Sequence, residues 1–596
     1  MAQNVSEYMM KRMLQWGVTR IYGYPGDGIN GLTIAMEQSV KDGHLEFVQA
    51  RHEEMAAFMA CAHAKYTGEV GVCLATSGPG AVHLLNGLYD AKKDHQPVVA
   101  IVGQQARFSL GTDYQQEIDL QTLYKDVASE FVQTLMHPAQ ARSLVDRAFR
   151  IAKDQRTVTA IIVPNDIQDE DFSEAPRKHG CSYTGVGHHI PLTVPAREEL
   201  VRAAQVLNEG KKVAMLVGAG AQGAADEVIE LADKLGAGIA KAWLGKAVIP
   251  DEIPFVTGSI GLLGTKPSWT LMKDCDTLLM IGTSFPYAEF LPEEGQARCV
   301  QIDIDGRRLS MRYPAEVPLN GDAKETVRAL LPLIDRKEDR SWQEKLMGQI
   351  DHWWKSIESI AGLDANPLNP AAIYWELNKQ LPDDVIIACD TGTASNWYGR
   401  DLRLRKGMMA SGSGNLATMG PGVPYAIAAK FCFPDRPILA LVGDGAMQMC
   451  GNSELVTLAK YWKQWDDPRF VILVLNNRDL SQVSWEQRVM EGHPRVDTTQ
   501  VIPDISYSKY AELLGFKGIY LDNKDDIAGA WHEAFHADRP TLIEAFVDPD
   551  VQTIPPHIKF EQVKSFASAL LQGDSRQKGI VMQSVKAMWE GITPQG

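Results

Sequence analysis

No run of eighteen apolar residues occurs anywhere in the chain, so no membrane-spanning helix is expected. Cysteine is present but unorganised. Cys61, Cys73, Cys181, Cys275, Cys299, Cys389, Cys432 and Cys450 form no Cys-x-x-Cys pair and no metal-type spacing. They read as reduced core thiols of a cytoplasmic protein, not as a disulfide framework or a zinc site. No basic patch stands out against a formal net charge of -16, which removes nucleic acid as an expected partner. Met1-Ala2-Gln3-Asn4 lacks a basic segment and a long apolar core, so no signal peptide is expected. Short-period repeats and low-complexity segments are missing too. What remains is an ordinary globular composition, 45% hydrophobic and 22% charged. At about 150–200 residues per domain, the length allows three to four domains.

Short apolar runs alternate with longer helical patterns: Val98–Val102, Thr159–Val163, Val213–Val217, Thr277–Ile281, Val300–Ile304, Val385–Ala388, Ile438–Val442, Val471–Leu475 and Thr541–Phe546. That rhythm predicts an α/β fold of doubly wound parallel sheets. Many runs end in Gly, Asp or Asn (Gly103, Gly218, Gly282, Asp303, Asp390, Gly443, Asn476), and ligands of such sheets bind outside the carboxyl ends of strands. Asp169–Pro191, Asp335–Trp353 and Ala361–Pro370 read as linkers. They divide the chain into domains at 1–170, 190–335 and 365–550, with a helical tail at 551–596. In the tail, Phe560, Val563, Phe566, Ala567, Leu570 and Leu571 share one helical face, and Ile580, Val581, Val585, Met588 and Trp589 make a second amphipathic piece. Such a tail either meets a membrane interface or packs back onto the body.

Two motifs carry chemistry. Gly443-Asp444-Gly445 and Asn476-Asn477 each follow an apolar run, Pro437–Val442 and Phe470–Leu475. Alone each is only a turn. Together they offer a carboxylate, neutral oxygens and approachable backbone, which suits Mg²⁺ held against a diphosphate. Arg51-His52-Glu53-Glu54 leads a stretch rich in alanine. A buried Glu53 can share a proton with a ring nitrogen of an aminopyrimidine, or it serves as a helix N-terminal charge.

Tyr24-Pro25-Gly26-Asp27, Arg51-His52-Glu53, Thr76-Ser77-Gly78-Pro79-Gly80, Ala417-Thr418-Met419-Gly420, Gly443-Asp444-Gly445 and Asn476-Asn477 stand in the order of a known family. The chain resembles the thiamine-diphosphate enzymes of the pyruvate oxidase, quinone-linked pyruvate dehydrogenase and acetolactate synthase group, and most closely the pyruvate oxidases. Ile554-Pro555-Pro556-His557-Ile558-Lys559 resembles the quinone-linked dehydrogenases in particular. The resemblance implies that Glu53 meets the pyrimidine, that Met419 bends the cofactor, and that Ala417 and Thr418 lie beside its amino group. It implies Mg²⁺ on Asp444, Asn477 and the backbone of Asp479, and the diphosphate on Gly392, Thr393, Gly445 and Ala446. Asp27, Asn30, Gln116 and Glu486 would line the substrate pocket. With Glu53 and Asp444 in different domains, it implies a cofactor shared by two chains, hence a homodimer at least and a tetramer by family habit.

In the middle domain, Gly218 and Gly220 give a weak dinucleotide signal. They are joined by Gly261-Leu262-Leu263-Gly264, Gly282-Thr283-Ser284-Phe285-Pro286-Tyr287, Asp303-Ile304-Asp305 and Gly321-Asp322. In the related enzymes such segments grip FAD; the other reading is a remnant that has lost its nucleotide. The implied reaction is oxidative decarboxylation of pyruvate or a related 2-oxo acid, with thiamine diphosphate as electron sink and FAD passing electrons to quinone or oxygen. The alternative is carboligation or non-oxidative decarboxylation with structural FAD. Three amides depart from the family pattern: Gln115, Asn396 and Gln482 stand where apolar side chains are usual. They point either to a more polar substrate or acceptor, or to amides that face water or one another. Lys463–Arg469 reads as an insertion that lengthens a loop and leaves the site intact.

Overall fold

The computed structural model of the chain describes residues 3–553 and 560–589, with side chains of the second stretch described at 562–584. The motif Ile554–Lys559 and the side chains of Phe560, Val585, Met588 and Trp589 lie outside the described residues. Three six-stranded sheets, every ladder parallel, occupy residues 20–164, 213–320 and 386–546. All nine expected apolar runs coincide with strands, with Ile304 and Val385 each one residue outside theirs. Val98–Gln104, Val158–Pro164 and Phe470–Asn476 are buried along their whole length, as strands covered by helices on both faces must be.

With the strands numbered afresh in each sheet, the first and third sheets share the order 2-1-3-4-6-5. In the first, strands 1 and 3 are Arg20–Gly23 and Gly71–Ala75; in the third they are Ile386–Cys389 and Ile438–Gly443. The middle sheet runs 6-5-4-1-2-3, the dinucleotide-fold order, with strands 1 and 4 at Val213–Val217 and Thr277–Ile281. Each order reverses between the two strands named, and there the crevices for ligands open. One core joins the first and third domains: helix Glu53–Thr67, rich in alanine, packs closely on helix Gly422–Cys432.

The segment around 172–196 is irregular, as a linker should be. Asp335–Trp353 is not a linker: most of it lies in the 21-residue helix Ser341–Ala361. Trp342, Leu346, Ile350, Trp353, Ile357 and Ile360 form its buried stripe, which the charges around it conceal in the sequence. Residues 463–469 lie at the amino end of strand Phe470–Asn476, opposite the site, where Trp465 packs on Phe431 and Phe470.

The tail forms helices Phe560–Leu571 and Gln577–Trp589 and folds back onto the body. Ala569, Leu570 and Ile580 are buried, while Val563, Leu571, Val581 and Met582 stay exposed. Between the helices Asp574 accepts two hydrogen bonds from Arg488, at 2.8 and 3.0 Å, with both side chains at most 1% exposed. Burial alone would raise the Asp574 carboxyl; the Arg488 guanidinium and the N–H groups of Arg495 and Arg576 hold it below its usual range. Breaking a buried pair costs about 3–5 kcal/mol, because the remaining charge loses its partner. D574A is therefore expected to release the tail from an otherwise folded body. Limited proteolysis should then cut within 560–589 at protease levels that spare the wild type.

Candidate active site

The C-terminal sheet builds an anion cradle. Strand 1 passes through Asp390 and Gly392 into helix Thr393–Asp401, and strand 3 passes through Gly443 into the helical run that begins at Asp444. Two helix N-termini thus flank the point of strand reversal, with N–H groups free for a diphosphate. Asp444 is 3% exposed. Its carboxylate accepts the N–H groups of Gly445 at 2.8 Å, Asn477 at 2.9 Å and Arg478 at 2.6 Å. Burial still pushes the group up to about 7, against those three donors. A buried carboxylate with oxygen neighbours and no cationic side chain bonded to it fits a divalent ion, which would hold it ionised. Asn477 Oδ1 accepts the Asp479 N–H at 3.0 Å, and its Nδ2 donates to Ser481. The Asp479 side chain turns inward to the Ser484 hydroxyl, leaving its backbone as the part that can serve a metal.

The segment Ala417–Gly420 is lashed to this cradle. Asp390 accepts the N–H groups of Thr391, Gly420 and Gly422, and Thr391 Oγ1 donates to the Thr418 carbonyl at 2.7 Å. Burial pushes Asp390 up to about 6. The Met419 methyl group lies 3.3 Å from where a Cβ on Gly445 would stand, so Met419 and the Gly-Asp-Gly turn are neighbours. Ala417 has φ +54°, and Arg478 and Gln116 are also left-handed. These three, in or beside segments expected to meet cofactor or substrate, mark backbone held in place by its surroundings.

The N-terminal sheet gathers the second half at its own reversal point. The Gly28 N–H donates to Thr76 Oγ1 at 3.1 Å and to Asp27 at 2.9 Å. Ser77 Oγ donates to Gln116 Oε1 at 3.4 Å, and Gly78 leaves no room for a Cβ beside Gln116. Glu53 opens helix Glu53–Thr67 and is 8% exposed. Asp27, Glu53 and Gln116 are thus brought together; Asn30 sits at the rim, exposed, at the start of helix Asn30–Lys41. Glu486 lies in the other domain, exposed on helix Ser481–Glu486 and bonded to Gln482 at 3.0 Å. Among the described residues no hydrogen bond or ion pair joins Glu486 or Asp444 to Glu53 or Gln116 within the chain.

The middle-domain segments all lie at the carboxyl ends of strands: Gly218 and Gly220 after strand 1, Gly261–Gly264 after strand 3, Gly282–Tyr287 after strand 4, Asp303–Asp305 at strand 5 and Gly321-Asp322 after strand 6. Gly218 and Gly282 meet backbone to backbone: a Cβ on Gly218 would stand 2.4 Å from the Gly282 carbonyl. Asp303 is buried and raised by burial, Asp305 is held by Arg307, and Asp322 caps helix Ala323–Leu330 through the Glu325 N–H. This edge abuts helix Thr393–Asp401: Ser259 and Lys246 donate to the Gly399 carbonyl, and Leu263 packs there as well.

Two of the three departing amides find partners within the chain. Asn396 Nδ2 donates to Gln482 Oε1 and to Thr553 Oγ1, both at 2.8 Å. Gln115 is exposed on a separate loop. N396V alone leaves Gln482 and Thr553 short of a donor and is expected to cost about 1–3 kcal/mol. An apolar pair at 396 and 482 should recover much of that, measured as a double-mutant cycle of denaturant midpoints.

Residues that sequence reasoning missed are His83, Asp390 as a tie, Arg478 and Glu454. Glu454 accepts the Arg51 N–H at 2.8 Å across the domain boundary, and burial pushes it up to about 7. Only Asp390 carried a signal, as the last residue of an apolar run.

Residues 3–123 match the family description "Thiamine pyrophosphate enzyme, N-terminal TPP binding domain", 200–330 the central domain and 390–545 the C-terminal TPP binding domain. The Bacillus subtilis protein named "Putative thiamine pyrophosphate-containing protein YdaP" is 36% identical over 98% of this chain and 99% of its own. The pyruvate oxidase of Lactiplantibacillus plantarum is 28% identical over 94% and 91%. The acetolactate synthase large subunit of Cyanidium caldarium is 28% identical over 90% and 92%. With three parallel sheets, paired loops at two reversal points and similarity along nearly its whole length, the chain belongs to the thiamine pyrophosphate enzyme family.

Proposed function

We propose that this thiamine-pyrophosphate-dependent enzyme oxidatively decarboxylates pyruvate or a related 2-oxo acid, with FAD in the middle domain passing electrons to quinone or oxygen. The observation that carries the reading is the contact between the glycine-lined edge of the middle sheet and helix Thr393–Asp401, whose N-terminus opens on the diphosphate cradle. Flavin and thiamine cofactors bound there would be neighbours. When bound, thiamine diphosphate supplies an electron sink for the bond that breaks in decarboxylation. The chain's own residues do the rest. Asp444, Asn477 and the Asp479 carbonyl would hold Mg²⁺, and Gly392, Thr393, Gly445 and Ala446 would contact the diphosphate. Glu53 holds a proton at the pyrimidine nitrogen, and Asp27, Asn30, Gln116 and Glu486 line the substrate side. The Asn396 N–H₂ group is satisfied by Gln482 and Thr553 while its Oδ1 is buried without a hydrogen-bond partner, so the amides favour neither pyruvate nor a more polar substrate.

A cytoplasmic homo-oligomer, a dimer of dimers, fits a site completed by two chains. Among the described residues no helix is long and apolar enough to cross a membrane; contact with its surface through the tail belongs to the quinone version of this reading. Acetolactate synthase relatives of similar identity favour a second reading, carboligation with structural FAD. Anaerobic addition of pyruvate to the holoenzyme decides between them. Rapid bleaching of the flavin's visible band supports oxidation; an unbleached flavin with acetolactate accumulating overturns it.

A further inference from the structure

Glu53 has a partner that the role proposed for it leaves unused. His83, the last residue of the short helix Pro79–His83, places Nδ1 2.9 Å from Glu53 Oε2. Its ring lies against that of His52, with centroids 4.3 Å apart and planes inclined by 31°. His52 is itself fixed: it caps helix Glu53–Thr67, and its Nδ1 accepts the Glu54 N–H at 3.2 Å. On the other side, Glu53 Oε1 lies 3.1 Å from where a Cβ on Gly80 would stand. The carboxylate is therefore confined by groups of its own domain.

His52, Glu53 and His83 bring three potential metal ligands within 4.8 Å of one another. A shared ion is nonetheless disfavoured by the ring geometry. An imidazole binds a metal through a lone pair in its ring plane, and rings that face each other at 4.3 Å, tilted by 31°, do not aim those lone pairs at one point. The Nδ1 lone pair of His52 is also taken by the Glu54 N–H. The stack is a brace.

We infer that His83 is a positioning residue for Glu53. Its Nδ1–H donates to Oε2, and the His52 stack holds the ring that donates. With Oε2 engaged, proton exchange with the pyrimidine nitrogen is confined to Oε1, in a carboxyl plane that cannot turn freely. The inference rests on the role proposed for Glu53.

The test compares H83F, which keeps a ring to stack but loses the N–H, with H83N, which keeps a donor. In the holoenzyme without substrate, deuterium exchange at the reactive thiazolium carbon is followed by acid quench and NMR. H83F is expected to slow it about 10–100-fold, the scale of a misplaced catalytic group, and H83N to restore most of the rate. Cofactor affinity, measured by fluorescence on cofactor-free protein, should stay within about 3-fold in both, because the diphosphate cradle lies elsewhere. Crystals of H83F should show Glu53 in more than one rotamer. Wild-type exchange in H83F overturns the inference, as does a loss in affinity and melting temperature that matches the loss in exchange. E53Q separates the two levels. If E53Q exchanges like the wild type, the role of Glu53 fails; if E53Q is slow while H83F is normal, only the assignment of His83 fails. Should H83F fail to fold, H83L replaces it as the donor-less variant, and full exchange in H83L overturns the proposal equally.

Discussion

E53Q is expected to lower turnover by about 10³-fold, the middle of the range for losing a positioned acid–base group. Glutamine keeps the shape of the side chain and one acceptor oxygen but cannot carry the proton. The residues proposed to bind the diphosphate and metal, Gly392, Thr393, Asp444 and Asn477, lie in another domain. Cofactor affinity should therefore fall far less than turnover. Steady-state rates with pyruvate, set beside cofactor titration of the apoprotein, check both halves. Equal losses in affinity and turnover would make Glu53 a binding residue only.

The segments proposed as the two halves of the site stand out in the sequence for a local reason. Gly-Asp-Gly, Asn-Asn, Arg-His-Glu and Thr-Ser-Gly-Pro-Gly are contiguous, and each owes its chemistry to a turn or helix start that a few residues dictate. Buried strands such as Val98–Gln104 announced themselves as apolar runs. Half-exposed strands did not: Glu46–Gln49 and Lys517–Leu521 hold only two or three adjacent apolar residues and take their structure from pairing. Helix Ser341–Ala361 hid because its apolar stripe is diluted by charges. Contacts between distant residues were beyond reach as well. The bond from His83 to Glu53 spans 30 positions and that from Asn396 to Gln482 spans 86, and no local rule pairs them. The left-handed turn at Arg478, which aims two successive N–H groups at Asp444, belongs with these, since arginine gives no hint of φ +56°.

The first and third sheets share one strand order, yet they offer opposite chemistry at the same place. In the third domain both reversal-point strands run into helix N-termini and draw an anion. In the first, the corresponding loops hold Asp27 and Thr76, with Gln116 reaching in from the segment after strand Val98–Gln104, beside a carboxylate that opens the neighbouring helix. Fold fixes where the crevice lies, and the loop residues fix what it accepts.

D444A should therefore fail in the complementary way to E53Q. Three N–H groups lose their acceptor, and the proposed metal would lose its carboxylate ligand. Mg²⁺-dependent cofactor affinity is expected to drop about 100-fold or more, the upper end of losses seen even for residues that only support a metal ligand. The decisive experiment combines the two variants. If each site takes Glu53 from one chain and Asp444 from another, chains of E53Q and D444A co-assembled in equal amounts give a site with both native groups one time in four. Activity near a quarter of wild type is then expected from two proteins that are nearly inactive alone. If both groups came from a single chain, no assembly of these variants would contain an intact site, and the mixture would stay as inactive as its parts. Recovery of activity thus reports on which chains build the crevice, separately from what either residue does within it.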